Sequence, residues 1–368
     1  MISMEQGQMD YPTTPAVIEA ATRFMATGQI LYTNVDGIDP LKDAIRRKLA
    51  RENDLDYARD EVFVGAGTSQ VVFNAFAVTL EPGDEVVLPT PLWTVFRLSV
   101  EALGGVPVTV PTRAQDGFKM TPDALRAAIG PRTRWLVLNS PCNPSGAVYD
   151  EHELARLAAV LLEAPRVAIL SDDLYEHQIY DDRSFRNIVN AEPRLRERTL
   201  VVNGVAKAHG MTGWRIGYGA GPRGLLEAMK WWQAPSTSSP CHVSQWAAVA
   251  ALDGPQEHLA ERRAELRHRR DLLSEALTAT PGWSADPCEG AFYLYASCEG
   301  LLGRTTPSGA RLRTDRDVAR WLLEDAHVAS VPGEAFELSP FIRFSFGTAT
   351  DRVAEAARRI RRATDRLS

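Results

Sequence analysis

The chain has 368 residues, of which 45% are hydrophobic and 24% charged, and its formal net charge is -6. This length exceeds what one hydrophobic core usually serves, so we expect two domains. The negative charge argues against a general nucleic-acid-binding protein, and no apolar run is long enough to cross a bilayer.

Targeting and metal-binding signals are also missing from the sequence. The first residues, "MISMEQGQMDYPTTP", lack the basic start and apolar stretch of a secretory signal. The four cysteines and seven histidines show no spacing typical of a metal site, so free thiols are expected. We therefore expect a cytoplasmic protein with no bound metal, nucleic acid or membrane.

The elements predicted along the chain fall into two groups. Residues 1–37 hold one helix and a loop, too little to fold alone, and are grouped with the second domain. Residues 38–255 form the large domain, in which apolar strands alternate with amphipathic helices; this pattern indicates a mostly parallel sheet covered on both faces. Residues 256–368 begin with a long helix and continue as a smaller α+β domain. The predicted strands are "EVFV", "DEVVL", "RWLVLN", "RVAILSD", "TLVVNG", "AFYLYAS" and "FIRFSF".

Polar residues follow several of these strands, where ligands bind in doubly wound sheets. After "EVFV", the turn "GAGTSQ" opens a helix, and the free N–H groups of Thr68 and Ser69 suit a phosphate. The same residues are also an ordinary helix cap, so this motif alone is weak.

Further along, "NSPCNPSG" forces a rigid loop that holds Asn143, although a surface turn would look the same. In "SDDLYEH", Asp172 ends a buried strand, where a carboxylate is costly unless it is paired. Helix capping is the alternative for both Asp172 and Asp173. Lys207 and Arg215 then stand among small residues in "NGVAKAHGMTGWRIGYGAG".

One cofactor requires all of these groups together. Pyridoxal 5'-phosphate (PLP) has an aldehyde that a lysine holds as a Schiff base, a ring nitrogen that a carboxylate keeps protonated, and a phosphate that needs N–H groups and a cation. The order of the motifs along the chain therefore predicts a PLP site.

With these motifs in place, the chain resembles the class I/II aminotransferases, the aspartate-aminotransferase-like group of PLP enzymes. The resemblance runs in family order over nearly the whole chain and implies the fold type I architecture, an α/β fold with a mostly parallel seven-stranded sheet between helices and a smaller α+β domain. The matching segments are "YTNVDGIDPLKDAI", "GAGTSQ", "PTPLWTVF", "NSPCNPSG", "SDDLYE", "GVAKAHGMTGWRIG", "GAFYLY" and "FIRFSF".

The resemblance implies roles at the cofactor ring. Lys207 would form the Schiff base and move the proton between the substrate α-carbon and the cofactor. Asp172 would pair with the pyridinium nitrogen, and Asn143 and Tyr175 would hydrogen-bond the phenolate oxygen. Trp93 in "PTPLW" would stack on the ring, although tryptophan is also an ordinary core residue.

It also implies the phosphate site and a dimer. Arg215 and the backbone of Thr68 and Ser69 would hold the phosphate. Tyr32 resembles a tyrosine that reaches the phosphate of the neighbouring subunit, so a homodimer with active sites at the interface is expected.

The implied substrate site contains Arg343, which would hold the α-carboxylate with a two-pronged hydrogen bond. Asn143 and Gly7 would line the same site. An arginine isolated in the apolar strand "FIRFSF" would otherwise lack a partner.

Several positions depart from the family pattern. Gly204 and Ala206 replace serines that many relatives carry, so a phosphate contact is missing. His209 and Gly210 stand where a large aromatic residue and an alanine are usual. This change either widens the pocket, places an imidazole near the site, or is merely tolerated.

The departure with the clearest consequence concerns the amino donor. Aspartate-type relatives bring a cation to the distal carboxylate, whereas Ser69 brings no charge. We therefore expect that aspartate and glutamate are not the preferred donors and that neutral or aromatic donors lead. Basic donors are second if Glu5 or Asp10 points inward, and Arg97 would supply the missing cation if it turned inward.

The function expected from these residues is a PLP-dependent aminotransferase that moves an amino group from an amino acid to a 2-oxo acid in ping-pong half-reactions. The alternative is another PLP reaction on the same scaffold, such as elimination or cyclisation of a modified amino acid, because the motifs hold the cofactor in every case. A non-catalytic PLP-binding sensor is a third possibility, but the two domains leave no room for a DNA-binding module.

Overall fold

A computed structural model describes all residues, 1–368, and contains twelve strands and twelve α-helices. The strands are β1 (Ile2–Ser3), β2 (Val62–Gly65), β3 (Glu85–Thr90), β4 (Val106–Pro111), β5 (Thr133–Asn139), β6 (Ala168–Asp172), β7 (Thr199–Gly204), β8 (Gly217–Ala220), β9 (Tyr293–Ser297), β10 (Val328–Ala329), β11 (Val331–Pro332) and β12 (Phe341–Ser345). The helices are α1 (Pro15–Ala26), α2 (Asp39–Asn53), α3 (Thr68–Ala77), α4 (Thr94–Ala102), α5 (Pro122–Ala128), α6 (Glu151–Glu163), α7 (Ile188–Ala191), α8 (Arg223–Gln233), α9 (His242–Asp253), α10 (Glu257–Thr278), α11 (Asp315–Trp321) and α12 (Thr350–Thr364). None of these helices has both the length and the apolar character needed to cross a membrane.

A seven-stranded sheet forms the centre of the molecule, in the order β2-β8-β7-β6-β5-β3-β4. Only β8 runs antiparallel to its neighbours, so the expected mostly parallel sheet is confirmed. Strands β4 and β8 were not predicted, because their proline and glycine residues hide the apolar pattern.

Helices cover both faces of this sheet. On one face, Leu41, Leu154 and Ala247 from α2, α6 and α9 are buried in one core. On the other face, Phe76 and Phe96 from α3 and α4 are buried in a second core. The inner strands β5, β6 and β7 are mainly apolar because both faces of the sheet are covered.

A second unit is built around the antiparallel sheet β11-β12-β9 and the parallel pair β1-β10. Its core contains Phe292, Phe344 and residues of α10 and α12, as well as Ile2 and Met4 from the start of the chain. Helix α1 packs instead on α9 in the first core, through Val17 and Ala21, which differs from the expected grouping of all of residues 1–37 with the small domain. The domain boundaries at residues 38 and 255 stay a prediction.

The strand register brings polar residues to one edge of the central sheet. Asn139, the last residue of β5, lies opposite Asp172, the last residue of β6, and Asp172 lies opposite Val202 of β7. These parallel strands end at the same edge of the sheet, so the segments that follow them lie close together. The second unit covers this edge.

Candidate active site

A cavity of about 630 Å³ lies at this edge of the sheet, between the two units. Its lining includes most of the residues predicted from the sequence, which are Gly7, Thr68, Ser69, Trp93, Asn143, Asp172, Tyr175, Lys207, Arg215 and Arg343. The structure therefore brings together predicted residues that are up to 336 positions apart in the chain, from Gly7 to Arg343.

One end of the cavity combines a helix N-terminus with an arginine, Arg215. Helix α3 begins at Thr68, and the first turn of a helix leaves N–H groups without partners inside the helix. Arg215 lies against the same turn, donating to the carbonyl groups of Thr212 (3.1 Å) and Ala66 (3.3 Å). A Cβ atom on Gly67 would stand 2.3 Å from the Arg215 guanidinium, so glycine is required for this approach. No carboxylate forms an ion pair with Arg215, which leaves its charge available to a phosphate.

The floor of the cavity carries a buried carboxylate without a cation. Asp172 is 3% exposed, accepts a hydrogen bond from Leu174 N (3.3 Å), and forms no ion pair. Burial raises the pKa of Asp172 to about 7, although the nearby Lys207 charge opposes the shift. Such a group fits a ligand that brings its own positive charge, as a protonated pyridine ring does.

The neighbouring Asp173 is different. It accepts hydrogen bonds from Ser171 Oγ (2.7 Å) and from the Asn187 side chain, and it does not line the cavity. Asp173 is therefore hydrogen-bonded to side chains outside the cavity, and Asp172 is the carboxylate that faces the site.

Lys207 follows β7 and enters the cavity from the large-domain side. Its Nζ donates a hydrogen bond to the carbonyl of Gly7, so the amine reaches across to the start of the chain. Burial lowers the pKa of Lys207 to about 8, with the charges of Arg343 and Arg215 adding to the effect. The amine is therefore far more nucleophilic near neutral pH than an exposed lysine.

Arg343 approaches from the second unit, on β12. It is 7% exposed, its guanidinium lies over the rings of Tyr293 (4.6 Å) and Phe336 (4.8 Å), and it donates to Asn143 Oδ1 (2.9 Å) and to the Glu5 carbonyl. It has no acidic partner, and its buried Nε has no hydrogen bond. A buried guanidinium without a counter-ion fits a carboxylate ligand.

Two further predicted residues complete the walls. The Tyr175 hydroxyl is 3.0 Å from the Tyr293 hydroxyl, and both rings are buried. Trp93 also lines the cavity, with its ring edge-on to that of Phe96 at a centroid distance of 5.2 Å.

Some residues of the site were not predicted from the sequence. Tyr293 contacts both Tyr175 and Arg343, and it lies in the segment "GAFYLY", which by itself gives Tyr293 no role. Asn139, the last residue of β5, holds the loop that carries Asn143 by accepting a hydrogen bond from its backbone N–H (2.8 Å). Gln6 and Gln8 line the cavity but gave no signal in the sequence.

Other candidate residues lie outside the cavity. Arg97 is paired with Glu337 (2.6 Å) and Glu101 (2.7 Å), so it does not supply an additional cation to the site. Asp10 is paired with Arg269 (2.8 Å), and the Glu5 side chain does not line the site. The condition for a basic donor, that Glu5 or Asp10 points inward, is therefore not met, and neither is the condition that Arg97 turns inward to supply the missing cation.

Tyr32 and His209 also lie elsewhere. Tyr32 is 94% exposed and contacts no part of the cavity in its own chain. His209 is 3% exposed, but it packs near His177 and His258 instead of lining the cavity, so the replacement of an aromatic residue does not widen the site.

Comparison with known proteins adds a family to this geometry. The family model described as "Aminotransferase class I and II" matches residues 1–360. The aspartate aminotransferase of Rhizobium meliloti (strain 1021) is 49% identical over 368 residues, which cover 100% of this chain and 90% of that protein. The aspartate/prephenate aminotransferase of Cereibacter sphaeroides is 47% identical over 360 residues, 98% of this chain and 90% of that protein.

Solved structures agree with these relatives. The crystal structure of the Rhizobium meliloti aspartate aminotransferase superimposes with a TM-score of 0.98, at 49% identity, covering 100% of this chain and 92% of that one. The aspartate aminotransferase from Thermus thermophilus with maleate gives a TM-score of 0.92 at 37% identity, covering 99% of this chain and 91% of that one. The names of these relatives do not support the expected preference against aspartate.

Proposed function

Because this chain belongs to the class I and II aminotransferase family, we propose that it moves the amino group of L-aspartate to a 2-oxo acid. Family membership makes the chain a PLP-dependent aminotransferase of fold type I. When bound, PLP supplies an electron sink that stabilises negative charge at the α-carbon of the substrate. We assign cofactor binding, substrate binding and proton transfer to the residues of the cavity.

The N-terminus of α3, Arg215 and the floor of the cavity would hold the cofactor. The N–H groups of Thr68 and Ser69 and the Arg215 guanidinium suit the phosphate, because helix N-termini and arginine both favour anions. Asp172 suits the ring nitrogen, because a carboxylate in a dry site strongly favours a positively charged partner. Trp93 would cover the ring, and Tyr175 with Asn143 would donate to its phenolate oxygen.

Lys207 would hold the cofactor and later act as the general base. Its lowered pKa leaves a substantial fraction of neutral amine near pH 8, the form that takes a proton from the substrate α-carbon. Gly7 stands beside this amine, and a Cβ atom there would lie 2.9 Å from the Tyr293 hydroxyl and 3.8 Å from Lys207 Nζ. A glycine at position 7 therefore keeps space free where the amino group is transferred.

Arg343 is the residue that we propose binds the α-carboxylate of the substrate. Its unpartnered buried Nε is the single observation that most directly points to a missing anion. A bidentate α-carboxylate would satisfy this donor and neutralise the buried charge in the same step. The hydrogen bond from Arg343 to Asn143 sets the plane of the guanidinium and links substrate binding to the cofactor wall.

The side-chain carboxylate of aspartate would have to be bound by neutral groups in this cavity. The charged residues that line the cavity are only Asp172, Lys207, Arg215 and Arg343, so no additional cation of this chain is available. The neutral donors Gln6, Gln8 and Ser69 line the same space. Aspartate is nevertheless the donor supported by the relatives' names, and one related structure contains maleate, a dicarboxylate.

A bulky 2-oxo acid is the acceptor that best uses this site. The cavity has a volume of about 630 Å³, and apart from Asp172, Lys207, Arg215 and Arg343 its lining is neutral, which suits a ring-bearing side chain beside the cofactor. One relative is named for prephenate, a 2-oxo acid that carries a ring. We therefore include prephenate-like acids among the acceptors.

Single-turnover spectroscopy tests the donor. The PLP-loaded enzyme is mixed with one amino acid at a time, and the change in the visible absorbance of the cofactor is followed. The proposal predicts the highest specificity constant for L-aspartate, with Ser69→Lys raising it further. A higher constant for neutral, aromatic or basic donors would overturn the aspartate assignment while leaving an aminotransferase.

A homodimer is part of the same proposal. Tyr32 is 94% exposed, and Ile30 and Leu31 beside it are 50% and 65% exposed, which gives a continuous apolar segment with no use in one chain. Covering this segment with a second subunit would remove it from water and bring Tyr32 to a neighbouring site. Light scattering checks the assembly, and a fully active monomer would contradict it.

A further inference from the structure

The hydroxyl of Tyr293 lies beside the cavity, and the proposed reaction gives it no role. Tyr293 is the first residue of β9, pairs with Ser345 of β12 and is 0% exposed. Its hydroxyl is 3.0 Å from the hydroxyl of Tyr175, which belongs to the turn after β6. This hydrogen bond therefore joins the second unit to the edge of the central sheet.

The position of the Tyr293 ring is fixed by its neighbours. The Arg343 guanidinium lies over the ring, 4.6 Å from its centroid, and the Phe292 ring is 4.5 Å away between centroids. The hydroxyl stands so close to Gly7 that a Cβ atom there would lie 2.9 Å from it. Tyr175 is the only hydrogen-bond partner of the Tyr293 side chain, so the contact between the two hydroxyls is well defined.

The two phenols share one hydrogen bond but carry two protons. Burial raises the pKa of both Tyr175 and Tyr293, so both hydroxyls are protonated in the neutral range. One hydroxyl donates to the other, and the second proton is then free for a ligand. The distance alone allows either direction.

The ligand and the nearby charges decide which hydroxyl donates. Tyr175 is proposed to donate to the phenolate oxygen of the cofactor, so its own oxygen is left as an acceptor for Tyr293. The charge of Arg343 acts in the same direction, because it opposes the effect of burial on the Tyr293 pKa and makes this hydroxyl a better donor. The other charges near Tyr175 are Asp172 and Lys207, and neither forms a hydrogen bond with the two hydroxyls.

Asn143, the second residue proposed to donate to the phenolate oxygen, is held in a comparable way. Its side-chain oxygen accepts a hydrogen bond from Arg343 (2.9 Å), which leaves the amide N–H groups free to donate. Tyr175 has one contact of this kind, the hydrogen bond with Tyr293. Each of the two donors is therefore oriented by a residue of the second unit.

We propose that Tyr293 is a positioning residue, whose hydroxyl donates to Tyr175 and thereby directs the Tyr175 proton to the phenolate oxygen of the cofactor. This inference rests on the proposed function, which places the cofactor in this cavity. Hydrogen bonds in a chain polarise one another, so the bond from Tyr293 strengthens the bond that Tyr175 donates. A stronger bond stabilises the phenolate charge, and the bound cofactor then loses its proton at a lower pH.

A pH titration of the visible absorbance of the PLP-loaded protein tests this chain of hydrogen bonds. Tyr175→Phe should raise the midpoint by about 1–2 pH units, because the phenolate oxygen loses a donor. Tyr293→Phe keeps the ring under Arg343 and should raise the midpoint by about 0.5 pH unit. In the Tyr175→Phe background, Tyr293→Phe should change the midpoint by less than about 0.2 pH unit, because the chain is already broken.

Tyr180→Phe is the matched control. Tyr180 is also buried, and its hydroxyl donates to the carbonyl of Ala291 outside the cavity. Tyr180→Phe and Tyr293→Phe each remove one buried hydrogen bond, so both should lower the melting temperature of the cofactor-free protein. Only Tyr293→Phe should move the midpoint of the absorbance titration.

The outcomes separate this inference from the proposed function. An unchanged midpoint in Tyr293→Phe, an equal rise in Tyr180→Phe, or an undiminished rise in the Tyr175→Phe background would overturn the positioning role and leave the aminotransferase assignment intact. A wild type that shows no visible absorbance with added PLP would overturn the proposed function, and the inference with it.

Discussion

Two buried carboxylates four residues apart have opposite surroundings. Asp172 is 3% exposed on the cavity floor, has no cationic partner, and has a pKa that burial raises to about 7. Glu176 is 8% exposed and accepts from Lys48, Asn53 and Asn203. Burial acts on Glu176 too, but the Lys48 charge and these hydrogen bonds outweigh it and lower the pKa.

The comparison distinguishes charged groups that are left unpaired for a ligand from charged groups whose partners lie within the fold. In the cavity, Asp172, Arg215 and Arg343 are charged without a charged partner, and folding alone does not repay the cost of burying Asp172 and Arg343. In the Lys48–Glu176 network, every charge is matched inside the chain. A buried charge without a charged partner points to a ligand where it faces the cavity, as Asp172 and Arg343 do. Asp173 is also buried without a cation, but it lies outside the cavity and its oxygens are hydrogen-bonded to Ser171 and Asn187.

The largest difference in turnover is expected between variants of Lys207, in the cavity, and of Lys48, in the network. Lys207→Ala removes the cavity amine and should lower turnover by about 10⁴-fold, because the general base is lost. Borohydride reduction followed by mass spectrometry should attach the cofactor to the Lys207 peptide in the wild type only.

The network lysine serves as the matched control. Lys48→Met leaves Glu176 buried without its cation and should cost about 3–5 kcal/mol of stability, with turnover per folded molecule close to normal. Chemical denaturation measures the first value and kinetics the second. If Lys48→Met abolished turnover in folded protein, the distinction between site and scaffold would fail.

The next largest difference is expected in kcat/KM, between variants of Arg343 and of Arg97. Arg343→Gln removes the guanidinium proposed for the α-carboxylate and should lower kcat/KM by about 10³-fold, mainly through substrate binding. Arg97→Gln breaks only exposed ion pairs with Glu101 and Glu337, so kcat/KM should change by less than about 3-fold. Steady-state kinetics decides, and equal losses in both variants would contradict the assignment.

A smaller effect concerns pH. The folded-state pKa of Lys207 is lowered to about 8, so the neutral amine becomes dominant as pH rises through that value. The rate at which cofactor-free protein takes up PLP should therefore rise up to about pH 8 and level off above it. Stopped-flow absorbance measures this rate, and a rise that continues to pH 10 would show an ordinary lysine.

Much of the site was predictable because strand ends meet at one edge of a parallel sheet. This rule placed Asn143, Asp172 and Lys207 near one another without knowledge of the packing. The sheet itself was predicted from its apolar strands, whereas β8 was missed because "GYGA" lacks an apolar pattern. Gly217 in that strand is needed because a Cβ atom there would lie 2.2 Å from Thr68 N.

Features set by contacts between distant segments were not predictable. Whether Arg97 faces the cavity depends on Glu337, which lies 240 residues away. The rings of His177, His209 and His258 are neighbours although they come from three separate segments, which their spacing in the sequence does not indicate. The donor preference drawn from Ser69 alone ignored the other neutral donors, Gln6 and Gln8, which come from the start of the chain.

The two carboxylates provide the most direct test, through the free energy of unfolding of the cofactor-free protein at pH 8. The pKa of Asp172 is raised in the folded state, so the ionised carboxylate destabilises the fold. This destabilisation is absent below the pKa that Asp172 has in the unfolded state, and it grows as the pH rises towards 7. Asp172→Asn should therefore stabilise the cofactor-free protein by on the order of 2 kcal/mol, while it impairs catalysis. For Glu176 the folded pKa is lowered, so Glu176→Gln should destabilise it by about 3 kcal/mol. Opposite signs support the account, and destabilisation by both substitutions would contradict it.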